Sequence, residues 1–312
     1  MKYNLADICE YAKGKVDVAI LDDETYISTE NMMPNKGGIT SASSLPTIAQ
    51  TQVFLAGDVL VSNIRPYFKK IWFAEFDGGC SNDVLVFRAK DGVSKRFLYY
   101  VLSDDTFFDY SMATSKGTKM PRGDKAAIMK YEVPDFTYEE QEKIAGVLEA
   151  LDRKIQLNTE INENLLQQAI ALYEHLIQNA EWPTATILDV AEKVAMGPFG
   201  SNIKVSTFVP EGVPIISGNH LRGYFLEEPE FNYITEEHAE RLKNSIVYPH
   251  DLVFTHAGNI GQVAMIPDEC KYDRYVLSQR QFYLRCDETK VVPEFLLMFF
   301  HSASGQHELL SY

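Results

Sequence analysis

The sequence predicts an α+β protein in which two similar α/β modules are separated by a long coiled-coil-forming helix. Three observations lead to this fold class: a set of motifs occurs twice, a long proline-free stretch lies between the copies, and short strand and helix patterns alternate within each copy. The predicted boundaries are 1–137 for the first module, 138–180 for the spacer helix and 184–312 for the second module. A chain of 312 residues has the length of about two average domains.

The internal repeat is visible in two pairs of segments. LADICE at 5–10 recurs as ILDVAE at 187–192, and AGDVLVSN at 56–63 recurs as PHDLVFTH at 249–256. Both copies then continue into a short apolar segment that is rich in aromatic residues. Two similar modules on a rigid helix suit a protein that binds a two-part target better than an enzyme with a single pocket.

Each module is expected to combine short strands with short helices. In the first module, apolar runs predict strands at 58–62, 70–74 and 83–87, and the aromatic-rich stretch 97–108 predicts one helix. Two cations and two aromatic residues stand in the turn 65–69, between the first two of these strands. This turn is therefore a candidate contact with a negatively charged ligand.

The spacer helix is predicted to present a continuous apolar seam. The stretch that begins at Tyr138 lacks proline until Pro183 ends it, and apolar residues recur in steps of four and three. At about 1.5 Å per residue the helix would be about 60 Å long. A seam of this kind needs a partner helix, and the alternative is a surface helix that packs on its own domain. The seam positions are Ile144, Leu148, Leu151, Ile155, Asn158, Asn162, Leu165, Ala169, Leu172 and Leu176.

The charge distribution limits how the chain can bind nucleic acid. Its formal net charge is −15, which argues against indiscriminate binding to DNA or RNA. Residues 57–130 nevertheless hold 12 Lys and Arg against 9 Asp and Glu, whereas residues 182–312 hold 10 against 17. A basic partner subunit could supply the phosphate contacts that the second module lacks.

Several classes of function are not indicated by the sequence. The cysteines Cys9, Cys80, Cys270 and Cys286 are predicted to be reduced and mostly buried, and neither they nor the seven histidines show metal-ligand spacing. We find no adenine-methylase NPPY/F segment, no GxxxxGK[ST] phosphate loop and no HExxH motif. No signal-peptide pattern or membrane-length apolar run is present, so the expected location is the cytoplasm.

The order of the motifs along the chain resembles that of the specificity (S) subunit of Type I restriction–modification systems. In the first half, the resemblance includes the strand motif AGDVLVSNIRP, the loop ATSKGTKMPRG and the helix entry YEEQEKIAGVLEALDRKIQLN. In the second half, it includes GPFGSNIK, VPIISGNHLRG and DLVFTHAGNIGQVAMIP. The resemblance therefore extends over essentially the whole chain.

This resemblance implies a DNA-binding subunit without catalytic activity of its own. Its two target-recognition domains would each read one half of a split DNA sequence, and the helices would set the distance between the halves. The implied partners are two adenine-N6 DNA methyltransferase (M) subunits, which use S-adenosylmethionine, and a motor-nuclease (R) subunit, which consumes ATP with Mg²⁺. No cofactor is expected on the chain itself.

One departure from the family pattern concerns the second repeat. The first module continues into a hydroxyl-rich loop and the helix, whereas the second module ends at Tyr312, shortly after its aromatic segment. In the family the two helices pack antiparallel, so we expect a truncated second repeat whose seam binds a second copy of the chain or a methyltransferase helix. Two alternatives stay open: a coiled-coil assembly or interaction protein without sequence-specific DNA binding, and the recognition part of a fused restriction–methylation enzyme.

The candidate DNA-binding residues are chosen by the chemistry of their side chains in the loops. Arg and Lys suit phosphates and guanine edges, and Asn or Gln suit adenine. In the first module the candidates are Asn63, Arg65, Lys69, Lys116, Thr118, Lys119 and Arg122. In the second module they are Ser201, Asn202, Lys204, Asn219, Arg222, His256 and Asn259.

Overall fold

A computed structural model describes residues 3–178, 182–200, 202–228 and 230–311. The chain divides into two compact units, Met1–Ile161 and Asn162–Tyr312. Sheets and helices occur in both units, which confirms the predicted fold class. The division falls within the long helix, so the three boundaries predicted from the sequence stay predictions.

Within its described residues, 3–161, the first unit holds ten short strands and the first half of the long helix. Its strands are β1 (Tyr3–Asn4), β2 (Cys9–Tyr11), β3 (Lys15–Asp17), β4 (Tyr26–Ile27), β5 (Gln50–Phe54), β6 (Val59–Ser62), β7 (Ile71–Phe73), β8 (Gly78–Cys80), β9 (Val84–Ala89) and β10 (Glu132–Val133). Its helices are α1 (Leu5–Ile8), α2 (Lys95–Ser103), α3 (Asp105–Ala113), α4 (Lys125–Ile128) and α5 (Tyr138–Gln178), of which α5 continues into the second unit.

Two four-stranded sheets form the first module. One has the strand order β2-β9-β6-β7 and is antiparallel throughout, and the other has the order β3-β5-β8-β4 with β4 and β8 parallel. Successive side chains of a strand point to opposite faces, so Val59 and Val61 of β6 pack against the helices while Leu60 packs towards the second sheet. Because both faces of β6 are covered, its sequence is an uninterrupted apolar run.

The second unit repeats this arrangement. Its strands are β11 (Ala191–Met196), β12 (Val213–Ile216), β13 (Asn232–Ile234), β14 (Ile246–Val247), β15 (Leu252–Thr255), β16 (Val263–Met265), β17 (Tyr275–Leu277) and β18 (Gln281–Cys286), and its further helices are α6 (Ile187–Val190), α7 (Glu236–Arg241), α8 (Pro293–His301) and α9 (Ala303–Leu310). The sheet β11-β18-β15-β16 has the same antiparallel order as the first sheet of the first module. The second sheet has the order β13-β12-β17-β14, with β12 and β17 parallel. Its edge strand β13 lies beside the parallel strand β12, whereas in the first module the edge strand β3 lies on the side of the sheet away from the parallel strand β4.

A buried ion pair occurs at the same place in both modules. Asp58, which precedes β6, accepts hydrogen bonds from Nε and Nη2 of Arg88 at 2.8 and 2.5 Å. Asp251, which precedes β15, accepts the same two bonds from Arg285 at 2.8 and 2.6 Å. Each carboxylate also accepts a backbone N–H from three residues upstream at 2.8 Å. The pair therefore fixes the turn that leads into the central strand of each module.

The single helix predicted at 97–108 is wrong. The structure has two helices, α2 and α3, and Asp104 between them has an extended backbone with ψ at 139°. The Asp104 carboxylate accepts a hydrogen bond from the Thr106 N–H at 2.8 Å and so caps the start of α3. Aspartate favours this capping position over the interior of a helix, which explains the break.

The helix α5 leaves most of its predicted seam uncovered. Its first turns pack on the first module, where Gln141 and Ala145 are buried and the Gln141 side chain binds backbone groups on both sides. Beyond this anchor the seam is open, with Leu151 54 % and Leu165 57 % exposed. This finding contradicts the alternative of a helix packed along its length on its own domain. Among the described helices, none combines the length and the apolarity needed to span a bilayer.

The second module contains two histidines that favour the neutral form. Burial lowers the pKa of His220 below its ordinary value of 6.5, although hydrogen bonds with Glu230 and Ser217 oppose the shift. Burial also lowers the pKa of His301, whose ring stacks on Tyr224 with centroids 3.8 Å apart. Below pH 6.5 these histidines bind protons more readily in the unfolded chain than in the folded module. The stability that they contribute is therefore fully present above pH 6.5 and decreases as the pH falls below 6.5.

We therefore expect the second module to melt at a lower temperature as the pH falls from about 7.5 to about 5.5. His250 acts in the opposite direction, since hydrogen bonds to Glu288 and Asp268 outweigh burial and raise its pKa. The measurement should thus use His250→Asn, because asparagine tolerates the left-handed backbone at this position. Adding His220→Gln should reduce the pH dependence, and an unchanged slope would contradict the assignment.

Candidate nucleic-acid interface

The turn between β6 and β7 has a strained backbone. A short 3₁₀ turn, Pro66–Phe68, lies between Arg65 and Lys69, both left-handed with φ at 50°. The Phe68 N–H donates to the Arg65 carbonyl at 3.0 Å, and the Lys69 N–H donates to the Pro66 carbonyl at 2.8 Å. Non-glycine residues rarely adopt this conformation, and it persists where the surroundings enforce it, often at functional sites.

Two neighbouring segments hold this turn in place. The Lys36 N–H donates to the Lys69 carbonyl at 2.9 Å, and Lys36 is itself left-handed with φ at 62°. From the other side, the Arg65 N–H donates to the Pro121 carbonyl at 2.8 Å. Three loops that are distant in the sequence thus meet beside the ends of β6 and β7.

The hydroxyl-rich loop ATSKGTKMPRG, residues 113–123, is one of these three loops. The backbone N–H and carbonyl groups of Lys116 and Arg122 pair reciprocally at 2.9 and 3.0 Å. Their side chains bind carboxylates, since Lys116 Nζ lies 2.6 Å from Asp124 and Arg122 Nη2 lies 3.0 Å from Asp83. Thr118 and Lys119 at the tip are exposed. Lys119 is therefore the cation of this loop that is best placed for an external anion.

Lys36 and Lys69 share a single carboxylate. Their Nζ atoms each lie 2.9 Å from Asp105. The hydrogen bond from Lys36, and to a smaller extent that from Lys69, lowers the pKa of this carboxyl below its ordinary value. Two cations against one anion leave a net positive charge on this surface. Such a charge suits a DNA phosphate.

Asn63 lies in a different environment from the other candidates of the first module. Its side chain is buried, and within the part of the chain that the structure describes its Oδ1 atom has no hydrogen-bond partner. A Cβ added at Gly123 would lie 2.9 Å from this oxygen, so the loop passes closely over it. Asn63 thus lies behind the loop surface that presents Lys116 and Lys119, whereas Arg65 is half-buried.

Sequence reasoning did not select the two aromatic residues of the turn. Tyr67 and Phe68 are exposed at 49 and 38 %, and their ring centroids are 4.6 Å apart. They project between the left-handed Arg65 and Lys69, next to the cations described above. Aromatic side chains that insert between base steps or contact a thymine methyl have this kind of placement. The signal was visible in the sequence as two adjacent aromatic residues in a basic turn.

The equivalent turn of the second module connects β15 and β16. His256 is half-buried there, with its backbone N–H on the Arg280 carbonyl at 3.0 Å and its ring Nε2 3.2 Å from the Gln279 carbonyl. Asn259 is exposed at the tip of the turn and lines a pocket of about 270 Å³ together with Asn219. Six further polar residues of this pocket were not predicted from the sequence: Ser217, Thr255, Gln262, Ser278, Arg280 and Gln281.

The remaining candidates of the second module do not line this pocket. Asn202 donates its side-chain N–H to the Phe199 carbonyl at 2.8 Å, so its amide is used within its own loop. Lys204 and Arg222 are exposed. Ser201 lies outside the residues that the structure describes.

Metal and larger-ligand sites were also sought in both units. Across residues 3–178, 182–200, 202–228 and 230–311, no group of three or more His, Cys, Asp or Glu side chains is arranged to hold a metal ion. A cavity of about 910 Å³ lies within the first unit, between the module and the first half of α5. Aromatic and charged residues line it, including Trp72, Arg96 and Asp152.

Comparison with known proteins decides the family. The family described as the Type I restriction modification DNA specificity domain matches residues 1–167, which is more than half of the chain. The chain belongs to this family. The TM-score between this specificity-domain protein and the Type I restriction-modification S subunit from M. genitalium is 0.57, at 14% identity, with 100% of this chain and 78% of that one covered. This likeness concerns the fold alone.

Two curated relatives of the specificity-domain protein are specificity subunits. The Type I restriction enzyme EcoDI specificity subunit of Escherichia coli is 28% identical over 155 residues, which are 47% of this chain and 33% of the relative. The HindI specificity subunit of Haemophilus influenzae is 29% identical over 184 residues, which are 55% of this chain and 39% of the relative. The chain therefore spans about a third to two fifths of the length of these relatives.

Proposed function

We propose that this protein is the DNA sequence-recognition subunit of a Type I restriction–modification complex and reads a two-part target. The observation that supports this proposal most strongly is the match of the DNA specificity domain family to residues 1–167. The match disfavours the alternative of an assembly protein without sequence-specific DNA binding.

The repeated architecture supports recognition of DNA in two halves. Each module has the same antiparallel sheet order, and in each the connection after the central strand carries polar or cationic side chains. In the first module these are mainly cations, which suit phosphates, and in the second they are mainly amides, which suit base edges. The two halves of the target would then be read by different chemistry.

The proposed partners follow from the same assignment. Methyltransferase subunits with S-adenosylmethionine and a motor-nuclease subunit with ATP and Mg²⁺ would perform the reactions, and this chain would bind no cofactor and be non-catalytic. Since chromosomal DNA is the proposed ligand, the proposed location is the cytoplasm. The net charge of −15 implies that the partners also contribute phosphate contacts.

The proposal is tested by co-purifying the chain with its methyltransferase subunit and mapping N6-methyladenine on genomic DNA. We expect methylation at one two-part motif, and no methyl transfer by the chain alone with S-adenosylmethionine. Methyl transfer by the isolated chain, or methylation by the complex without any sequence preference, would contradict the proposal.

A second experiment tests the loop cations. Lys119→Ala should weaken binding of the complex by a similar factor on all DNA sequences, because a phosphate contact carries no sequence information, and should reduce the salt slope by about one. Lys130→Ala is the matched control. Lys130 is exposed, and its neighbour Met129 pairs with Ala6, near the end of β9 that is opposite to the loops. Equal effects of the two substitutions would contradict the assignment.

A further inference from the structure

The pocket of the second module is built almost entirely from polar side chains. Its volume is about 270 Å³, and its wall combines amides, hydroxyls and the guanidinium of Arg280, with Ala257 and two glycines as the other members. Cofactor and drug-like pockets are mostly apolar and roughly 300–1,000 Å³ in volume. A small, open, polar pocket instead suits the hydrogen-bonding edge of a planar group.

The topology places this pocket at the end of both sheets. Thr255 is the last residue of β15 and Gln281 is the first of β18, while Ser217 and Ser278 directly follow β12 and β17. The connection β15–β16, which closes the pocket, corresponds to the strained basic turn β6–β7 of the first module. The pocket therefore occupies the same position in its module as the proposed DNA-contacting turn does in the first.

Internal hydrogen bonds orient two amides in the pocket. The Thr255 hydroxyl donates to Gln262 Oε1 at 3.3 Å, and the Ser278 hydroxyl donates to Gln281 Oε1. With their oxygens held in this way, the NH₂ groups are directed away from Thr255 and Ser278. Gln281 is only 1 % exposed and lines the pocket, so a ligand reaches its amide from the pocket.

The position of Gly218 locates both amides in the pocket. A Cβ at Gly218 would lie 3.2 Å from Gln262 Oε1 and 3.8 Å from Gln281 Nε2, so both amides border the space in front of this glycine. Arg280 and Asn259 stand at the rim and are exposed, and the guanidinium of Arg280 has no ion pair within the described residues. The site thus combines a hydrogen-bond acceptor, Gln262 Oε1, with donors from the Gln281 amide and the Arg280 guanidinium around a small volume.

We propose that this pocket binds the major-groove edge of one purine base in the half of the target that the second module reads. Both purines present N7 as an acceptor on this edge, beside O6 of guanine or the N6 amino group of adenine. Arginine matches the guanine edge and an amide matches the adenine edge, and the pocket holds both kinds of side chain. This inference rests on the proposed DNA-recognition function.

The test uses the complex of the full chain with its methyltransferase subunit and duplexes that carry its mapped motif. Each purine is replaced in turn by its 7-deaza analogue, which removes N7 and keeps Watson–Crick pairing. We expect one position in a single half of the motif at which the 7-deaza analogue lowers wild-type affinity roughly tenfold, the order of magnitude for one base contact. Whether 7-deaza-adenine or 7-deaza-guanine has this effect identifies the base.

Pocket variants connect that position to the pocket. Gly218→Ala, which adds a methyl group to the pocket, and Arg280→Ala should each weaken binding to the normal duplex and abolish the further loss from the 7-deaza base. Gly223→Ala and Arg241→Ala are the matched controls, because an added Cβ at Gly223 meets its neighbours no closer than 3.6 Å and Arg241 is exposed outside the pocket. Both controls should keep the wild-type pattern, and melting curves of all variants verify folding.

Three outcomes would overturn the inference about the pocket, and a fourth would overturn the proposed DNA-recognition function. The inference is wrong if no 7-deaza position affects the wild-type complex, or if the pocket variants keep the full 7-deaza effect. It is also wrong if these variants weaken binding equally on all sequences, since that result indicates a phosphate contact. Absence of any sequence preference in the wild-type complex would instead refute the proposed function itself.

Discussion

Leu151→Glu combined with Leu165→Glu is expected to abolish self-association of the chain through α5. These leucines are more than half exposed, and the apolar face continues through Ile155, Leu172 and Leu176. Burial of one such side chain stabilises by roughly 1.5–3 kcal/mol. Pairing of two copies of this face buries several of these side chains from each copy and would therefore be stabilised by several times that free energy. In an antiparallel pair about Asn158 and Asn162, the two glutamates would face the apolar side chains Ala169 and Ile155 of the other copy and would prevent the pairing.

The sequence of the seam indicates how the two copies would pair. Asn158 and Asn162 lie at its middle, and an antiparallel arrangement about this point sets Leu148 of one copy near Leu172 of the other. Buried polar residues reduce the stability of a coiled coil but restrict its register. The antiparallel pair would give two chains the helix pairing that is expected within one longer family member.

Light scattering over a range of protein concentrations measures this association. The wild-type chain should form concentration-dependent dimers and the double variant should stay monomeric. Gln156→Glu with Gln167→Glu is the matched control, because it adds the same charge on the opposite, exposed face of α5. A wild-type chain that, in the absence of the methyltransferase subunit, is monomeric at all concentrations would refute self-association.

Asp251→Ala is expected to lower the free energy of unfolding of the second module by about 3–5 kcal/mol. The carboxylate is 1 % exposed and binds Nε and Nη2 of Arg285, so its removal leaves a partly buried guanidinium without its partner. Asp58→Ala should act in the same way on the first module, where Asp58 is 3 % exposed and binds Arg88. Chemical unfolding followed by hydrogen–deuterium exchange of peptides from each module measures and locates the effect.

The cost of burying the carboxylate offsets much of the attraction within this ion pair. Burial raises the pKa of Asp251 against the effect of the guanidinium, whereas the hydrogen bond to Asp251 raises the pKa of Arg285. Replacing both partners, as Asp251→Leu with Arg285→Met, should therefore recover most of the loss caused by Asp251→Ala. Arg274→Ala is the control, because Arg274 also binds two carboxylates but these are exposed, and such pairs contribute about 0–1 kcal/mol. A loss for Arg274→Ala as large as that for Asp251→Ala would contradict this account.

Local patterns in the sequence were sufficient to predict much of the fold. The apolar runs 59–61 and 252–254 are strands because both faces of each are covered, and an uninterrupted apolar run is the signature of that environment. The helix α5 could be predicted because its 41 residues lack proline and its apolar residues repeat with a helical period. Both signals are local in the sequence and do not depend on tertiary contacts. The break at Asp104 was missed because an aspartate within a helical pattern can either lie in the helix interior or cap the start of a new helix. The sequence pattern around it does not distinguish these two positions.

Side-chain environment could not be predicted in the same way. Asn63 and Arg65 are two residues apart, yet one is buried behind the loop and the other helps to form its strained turn. The difference arises because Pro121, more than fifty residues later, binds the Arg65 N–H and brings the second loop across Asn63. No periodicity along the chain records such a contact.

What the sequence by itself determined is therefore the fold class, the internal repeat and the apolar seam of α5, since each depends on residues that are close along the chain. The tertiary structure alone decided that Gln262, Arg280 and Gln281 join Asn219 and Asn259 in one pocket. It also decided that the pairs Asp58–Arg88 and Asp251–Arg285 are equivalent. The physical reason is the same for both: strand pairing brings together side chains that are far apart along the chain, and their chemistry depends on that proximity.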